Sequence, residues 1–219
     1  MNRSFAIAAF TIFVSAAEIL AQTSSVSGII VDPKGKTVDS AVVTAGLATF
    51  DPAVRNLHVL TGKGGTFSFA KLPAGTYRLC IQAPGTGLLD PCRWRIPIMV
   101  KVDGKTNVSN MRIALEQGVP LKIRIDDAGQ LLEKNEGKTK GTHLLVGVWT
   151  GSKFFQTAPI TGKDNKGRDH TIYVPKDEQV KVSVSSKEFK VAEPAQTAAR
   201  ASTSSGSQVK YTVTGLGSR

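Results

Sequence analysis

Histidine, cysteine and aromatic residues are all scarce in this sequence, and each shortage removes a class of chemistry. The 219 residues include three histidines, two cysteines and only 6% aromatics. His58, His143 and His170 stand isolated, with no H-x-x-E or H-E-x-x-H around them, so the ligand pairs of a zinc hydrolase are missing. No G-x-S-x-G stretch occurs, which removes a nucleophile elbow. Gly35-Lys36-Thr37, Gly104-Lys105-Thr106 and Gly137-Lys138-Thr139 all lack the upstream glycine of a phosphate loop and read as turns. Beyond residue 21 no apolar run is long enough to span a bilayer, and no segment of useful length keeps a helical period. Acidic residues are also outnumbered. The 28 Lys and Arg against 17 Asp and Glu leave a net charge of +11, a surface that attracts nucleic acid, anionic lipid or acidic polysaccharide.

What is present is ordinary for a soluble globular chain: 41% hydrophobic and 21% charged residues, enough for one large or two small domains. The N-terminus decides among the polyanions. Arg3 provides a short positive region, Phe5–Val14 an apolar core about half the ~20 residues of a spanning helix, and small residues follow. This is the pattern of a secretory signal peptide cleaved after Ala21, with Ala17 as the other choice and an uncleaved membrane anchor as the competing reading. No lipobox cysteine accompanies it. A secreted or periplasmic chain with no membrane span after cleavage does not meet nucleic acid.

Export also gives the cysteines a role. Cys80 has the opposite strand parity to Tyr77, Leu79 and Ile81, and Cys92 lies in the Gly/Pro-rich loop that follows. An even pair this close in an oxidising compartment reads as a disulfide, worth about 3 kcal/mol in the chain-entropy picture. A metal-binding or catalytic thiol is the other reading, and no His or further Cys stands at ligand spacing for it.

The segment Thr61–Pro84 organises the first half. Phe67 and Phe69 share one parity and Tyr77, Leu79 and Ile81 another, on either side of Pro73-Ala74-Gly75, which predicts a β-hairpin with one apolar face. Around it the alternation predicts strands at Val26–Val31, Ala41–Ala48, Leu57–Thr61, Ile96–Val102 and a last one ending at Leu115. Asp32-Pro33-Lys34-Gly35 carries type I turn preferences. About seven short strands and no helix predict a β-sandwich.

A boundary falls near Glu116–Gly118, and the pattern then starts again. Leu121, Ile123 and Ile125 alternate into Asp126-Asp127-Ala128-Gly129, an echo of the Ile29–Gly35 strand and turn. Further strands are expected at His143–Trp149, Phe154–Ala158, Asp169–Val174, Gln179–Ser185, Phe189–Val191 and Val209–Val213, with a mobile Ala/Ser/Thr-rich loop over 193–207. The expectation is all-β: a leader at 1–21, one sandwich domain at 22–116 and a second at 117–219, with no true helix.

The runs SGIIVDPKGKTVDSAVVTA and TGKGGTFSFAKLPAGTYRLCIQAPG resemble the carboxypeptidase regulatory-like domain, a prealbumin-like (transthyretin-like) sandwich loosely akin to starch-binding-like domains. The resemblance covers Ser27 to about Leu115. Its distinctive positions are Gly28, Asp32, Gly35, Ala41, Gly65, Phe67, Phe69, Leu72, Gly75 and Tyr77. It implies an accessory or binding module in secreted bacterial proteins, without the zinc chemistry of the namesake enzyme. Some transthyretin-like relatives are hydrolases that end in Tyr-Arg-Gly-Ser; this chain ends Gly-Leu-Gly-Ser-Arg, which removes that reading too.

Surface features remain. Trp94, Trp149, Tyr77 and Tyr173 include at least two aromatics on strand ends or loops, where an exposed ring stacks on a sugar or anchors a protein, and a buried one plugs the core. Lys134, Lys138, Lys140, Lys153, Lys163, Lys166 and Arg168 make the second half's loops basic, as a polyanion site or as solvated turns. Asp164–Asp169 has the outline of a calcium loop, but its interleaved Lys166 and Arg168 repel the ion. The expected function is non-enzymatic and cofactor-free. One reading is binding of an envelope polysaccharide through Trp149, Tyr173, Lys163, Lys166, Arg168 and Trp94; the other is a structural or protein-interaction role in the envelope.

Overall fold

The computed structural model describes residues 23–49, 51, 54–94, 98–134, 144–155, 158–194, 197–200 and 208–216, and the expected leader lies outside them. Val26, Ile30, Val43, Ala45, Phe67, Phe69, Leu79 and Ile81 lie at alternating positions and must all be taken from water together. They do so between two sheets. The strands are β1 (Thr23–Val31), β2 (Val42–Leu47), β3 (Leu57–Leu60), β4 (Thr66–Pro73), β5 (Gly75–Gln82), β6 (Ile98–Val102) and β7 (Val108–Ala114). One sheet has the order β4-β1-β7 and the other β3-β2-β5-β6. Gly28 lets the parallel β1–β7 pair close, because any Cβ there would collide with the Met111 carbonyl.

The expected hairpin at Thr61–Pro84 is not one. β4 pairs antiparallel with β1, whereas β5 pairs with β2 and β6. A single residue, Ala74, separates β4 from β5, so the link crosses from one sheet to the other. Phe67, Phe69 and Leu72 therefore meet Tyr77, Leu79 and Ile81 across the core instead of beside them. A period of two reports which side of a strand is apolar, not which sheet the strand joins. Between Phe69 and Leu72 a bulge sets two residues of β4 against Ser25 alone, with Lys71 at φ 57°, and this keeps both apolar residues facing inward. Asp32 builds its expected turn by accepting the Lys34 and Lys36 amides at 2.8 and 2.9 Å.

The second half repeats this plan. β8 (Val119–Asp126) is followed by β9 (Leu145–Thr150), β10 (Lys153–Phe155), β11 (Ile160–Asp164), β12 (Gly167–Val174), β13 (Gln179–Ser185), β14 (Phe189–Ala192), β15 (Ala198–Arg200) and β16 (Gln208–Leu216). β8 pairs antiparallel with β12 and parallel with β16, as β1 does with β4 and β7. The facing order β10-β9-β13-β15 matches β3-β2-β5-β6, and β11 and β14 are added at the edges of the β12-β8-β16 sheet. The chain is thus two β-sandwiches of one topology in tandem. Tyr211 ties the second together, its hydroxyl donating across the core to the Val182 carbonyl at 2.8 Å.

Two expectations are corrected. A one-turn helix, α1 (Leu131–Lys134), follows β8. The Asp127 carboxylate accepts the Leu131 and Leu132 amides at 3.0 and 2.8 Å and Leu132 drops into the core, too few residues to show a period in sequence. Within the stretch read as a mobile loop, Ala198–Arg200 instead forms β15 against β13. Among the described residues no helix is long and apolar enough to cross a membrane.

Two residues of the first half also enter the core of the second. Leu89 and Trp94, on the segment between β5 and β6, pack among the buried residues of the second sandwich. Backbone bonds from Leu89 to Glu116 and from Gly118 to Gly87, both 2.9 Å, hold the segment against the β7–β8 connection.

Candidate functional site

β9 alternates Val146 and Val148 inward with Leu145 and Trp149 outward. A two-residue turn, Gly151-Ser152 with Gly151 at φ 58°, sends the chain back as β10. Register then puts Phe154 beside Trp149 on one side and Lys181 of β13 on the other. The two rings touch at 5.4 Å between centroids and 54° between planes. Trp149 keeps 37% of its surface exposed, against 8% for Trp94. Beside the indole a groove of about 680 Å³ is lined by Ser152, Gln179, Lys181 and Ala198. A flat ring edged by an ammonium, an amide and a hydroxyl is equipped to stack on one face of a sugar and hydrogen-bond its hydroxyls.

The other expected site residues do not gather here. Trp94 is largely buried in the second core, away from Trp149, and Tyr77 is buried with its hydroxyl donating to the Pro73 carbonyl at 3.1 Å. Arg168 belongs to the inward row of β12 opposite Ile125 and is 7% exposed, so it adds nothing to a basic surface. Parity decided this: Arg168 shares its side of the strand with His170, Ile172 and Val174. Lys163 is spent on Glu133 at 2.8 Å, and Lys134 donates to the Gly129 carbonyl. Lys166 is exposed at the β11–β12 turn, in the sheet opposite Trp149. Lys138 and Lys140 lie outside the described residues. Tyr173 is half-buried on β12 and faces a different groove.

Arg124 holds the acidic residues of the calcium-like run. Its guanidinium meets Asp126, Asp164 and Asp169 at 3.0, 2.8 and 3.2 Å, and Lys210 also binds Asp126. The Asp164 and Asp126 hydrogen bonds raise the Arg124 pKa, while Lys210, then Arg124, lower that of Asp126. A fixed cation of the protein thus stands where a metal would be needed.

Cys80 and Cys92 form the expected disulfide, with Cα atoms 5.2 Å apart. Together with Asp90 they are the only cluster of potential metal ligands among the described residues, and their sulfurs are bonded to each other. Sequence reasoning missed Phe154 and Lys181 as neighbours of Trp149. Their signal was the cross-strand register, which follows only once the turn and the partner strands are known.

Residues 25–113 match the carboxypeptidase regulatory-like domain family, and that match spans the first sandwich. No curated protein matches the chain. Among solved structures it is similar to the Bacillus anthracis TIE protein at 18% identity and TM-score 0.36, covering 88% of this chain and 34% of that one. It is similar to a streptococcal ancillary pilin at 14% and 0.43, covering 88% and 63%. The minor pilin of Streptococcus agalactiae shows 10% and 0.44, covering 90% and 98%. The chain spans about a third of the first and less than two thirds of the second. Likenesses this distant carry no inference about function.

Proposed function

We propose that this chain is an exported, non-enzymatic module that binds a glycan of the cell envelope by stacking a sugar ring on Trp149. The observation that carries the proposal is the half-exposed Trp149–Phe154 pair at the edge of a groove bearing Lys181. Export rests on the leader pattern at residues 1–21, and the net charge of +11 favours an anionic polymer over a neutral one.

Retention on isolated envelope polysaccharide tests this at two salt concentrations. Screening shortens from about 10 Å at 0.1 M to about 3 Å at 1 M, which suppresses the charge contribution and spares stacking. Wild type should be retained at low salt and partly at high salt. Trp149→Ala should lose the salt-resistant part, and Lys181→Ser only the salt-sensitive part. Absence of wild-type retention at low salt overturns the proposal.

A second reading, pairing with a protein strand, is supported by β3. This short strand ends its sheet, so its outer backbone edge is where an added strand would pair, and it exposes Leu57 (39%) and Leu60 (67%) on opposite faces.

A further inference from the structure

A second groove, also about 680 Å³, runs along the junction of the two sandwiches. One wall is the 83–94 segment; the other is the outer side of β11 and β12, with Thr161, Thr171 and Tyr173. That volume lies within the few hundred to about a thousand Å³ typical of small-molecule sites, which favour such junctions.

The 83–94 wall is held firmly. Cys92 is bonded to Cys80 on β5, and Leu89 and Trp94 are anchored in the second core. Gly87 accepts bonds from the Gly118 amide at 2.9 Å and the Gln117 side chain at 3.1 Å, and its missing Cβ leaves room for the Tyr173 ring, which would lie 2.7 Å from one. A ligand entering such a groove pays little to order its walls.

The polar groups are few and complementary. The Asp90 side chain is only 9% exposed; its carboxylate accepts the Cys92 amide at 3.0 Å and faces the Arg93 guanidinium at 3.5 Å. Burial pushes this carboxyl above its ordinary range, against the lowering effect of the Cys92 amide and Arg93. Arg93 is 37% exposed at its side chain, and only one of its nitrogens is engaged, at long range, among the described residues. Opposite them the Thr161 and Thr171 hydroxyls pair at 3.1 Å.

We infer that this groove binds a neutral sugar of one or two residues, with Tyr173 against the ring face and the Asp90–Arg93 pair on neighbouring hydroxyls. An acceptor and a donor side by side match the two-way hydrogen bonding of vicinal hydroxyls. An anion would meet the Asp90 carboxylate, and an apolar ligand would leave the Arg93 guanidinium desolvated beside a single partner among the described residues, at 3.5 Å. This site is independent of Trp149 and lies in a different groove.

The sequence has two tryptophans, so in a Trp149→Ala background the fluorescence of Trp94, at the edge of the groove, reports on this site alone. That background also removes the polymer-binding platform, which keeps the failure of either proposal distinct from failure of the other. Titration with maltose, cellobiose and N,N′-diacetylchitobiose, with glucuronate as the anionic comparison, should give a saturable change with at least one of the disaccharides. Arg93→Gln and Tyr173→Leu, each added singly and checked for an unchanged melting temperature, should weaken it by about tenfold or more. Absence of saturation with all three disaccharides overturns the inference, as does a response that survives both substitutions or one that appears only with glucuronate.

Discussion

At the scale of single residues, His170 is a buried titratable group held by one hydrogen bond. It lies on the inward side of β12, Nδ1 shares a 3.1 Å bond with the Ala158 carbonyl, and Nε2 has no hydrogen-bond partner among the described residues. Burial lowers its pKa below the ordinary 6.5, and the positive charge of Arg168 adds to this, against the Ala158 bond and the Asp169 charge. An unfolded histidine takes up its proton near pH 6.5, while folded His170 resists it to lower pH. Stability should therefore be full above pH 6.5 and fall on acidification, until the folded group is itself protonated. Denaturant midpoints between pH 7.5 and 5 measure this, and His170→Leu should flatten the slope. An unchanged slope would show that another group carries it. Asp90 cannot be that group, because its raised pKa makes folding take up a proton and so acts in the opposite direction.

At the scale of elements, α1 shows how little sequence is needed to start a helix. Both oxygens of the buried Asp127 carboxylate are used on the amides of Leu131 and Leu132. Asp127→Ala should cost about 0.5–2 kcal/mol in chemical denaturation, whereas Asp127→Asn should recover part of it. Much of the strand inventory was legible from alternation, which is strong because one face of every strand is buried. Partners were not legible. The Pro73-Ala74-Gly75 link has the composition of a hairpin turn and serves as a crossing between sheets, and β11 escaped notice because Ile160–Asp164 is an exposed edge strand with no buried row. The candidate site was readable to the same degree. Trp149 stood out by residue type; for Trp94 packing chose the core plug over the stacking platform, while Arg168 was assigned to the surface by its polarity and packing overruled that. Asp90 and Arg93 gave no signal, because the groove they line exists only once residues far apart in the chain are brought together.

At the scale of the whole molecule, the 83–94 segment belongs structurally to both halves: the disulfide fixes it to the first, and Leu89 and Trp94 seat it in the second. Removing the bridge in a Cys80→Ser/Cys92→Ser variant should cost about 3 kcal/mol by the loop-entropy argument. The loss should not stay local. Amide hydrogen exchange ought to quicken in β12 and β13 as well as in β5, because the seating of Leu89 and Trp94 loosens with the loop. Unchanged protection of β12 and β13 beside a weakened β5 would show the two cores to be independent.

In each half the first strand of the fold has its last strand as a parallel neighbour: Val26 pairs with Val108, and Ile123 with Val209. A chain made from its N-terminus therefore cannot finish either three-strand ladder until nearly all of that half is available. Contacts so far apart in sequence place folding toward the slow, millisecond-to-second end for small domains. For that interval β1, and later β8, has its antiparallel neighbour but not its parallel one, and one edge of each ladder stays open. A delay of this kind leaves time for a chain to be threaded through a narrow passage before it becomes too wide to pass.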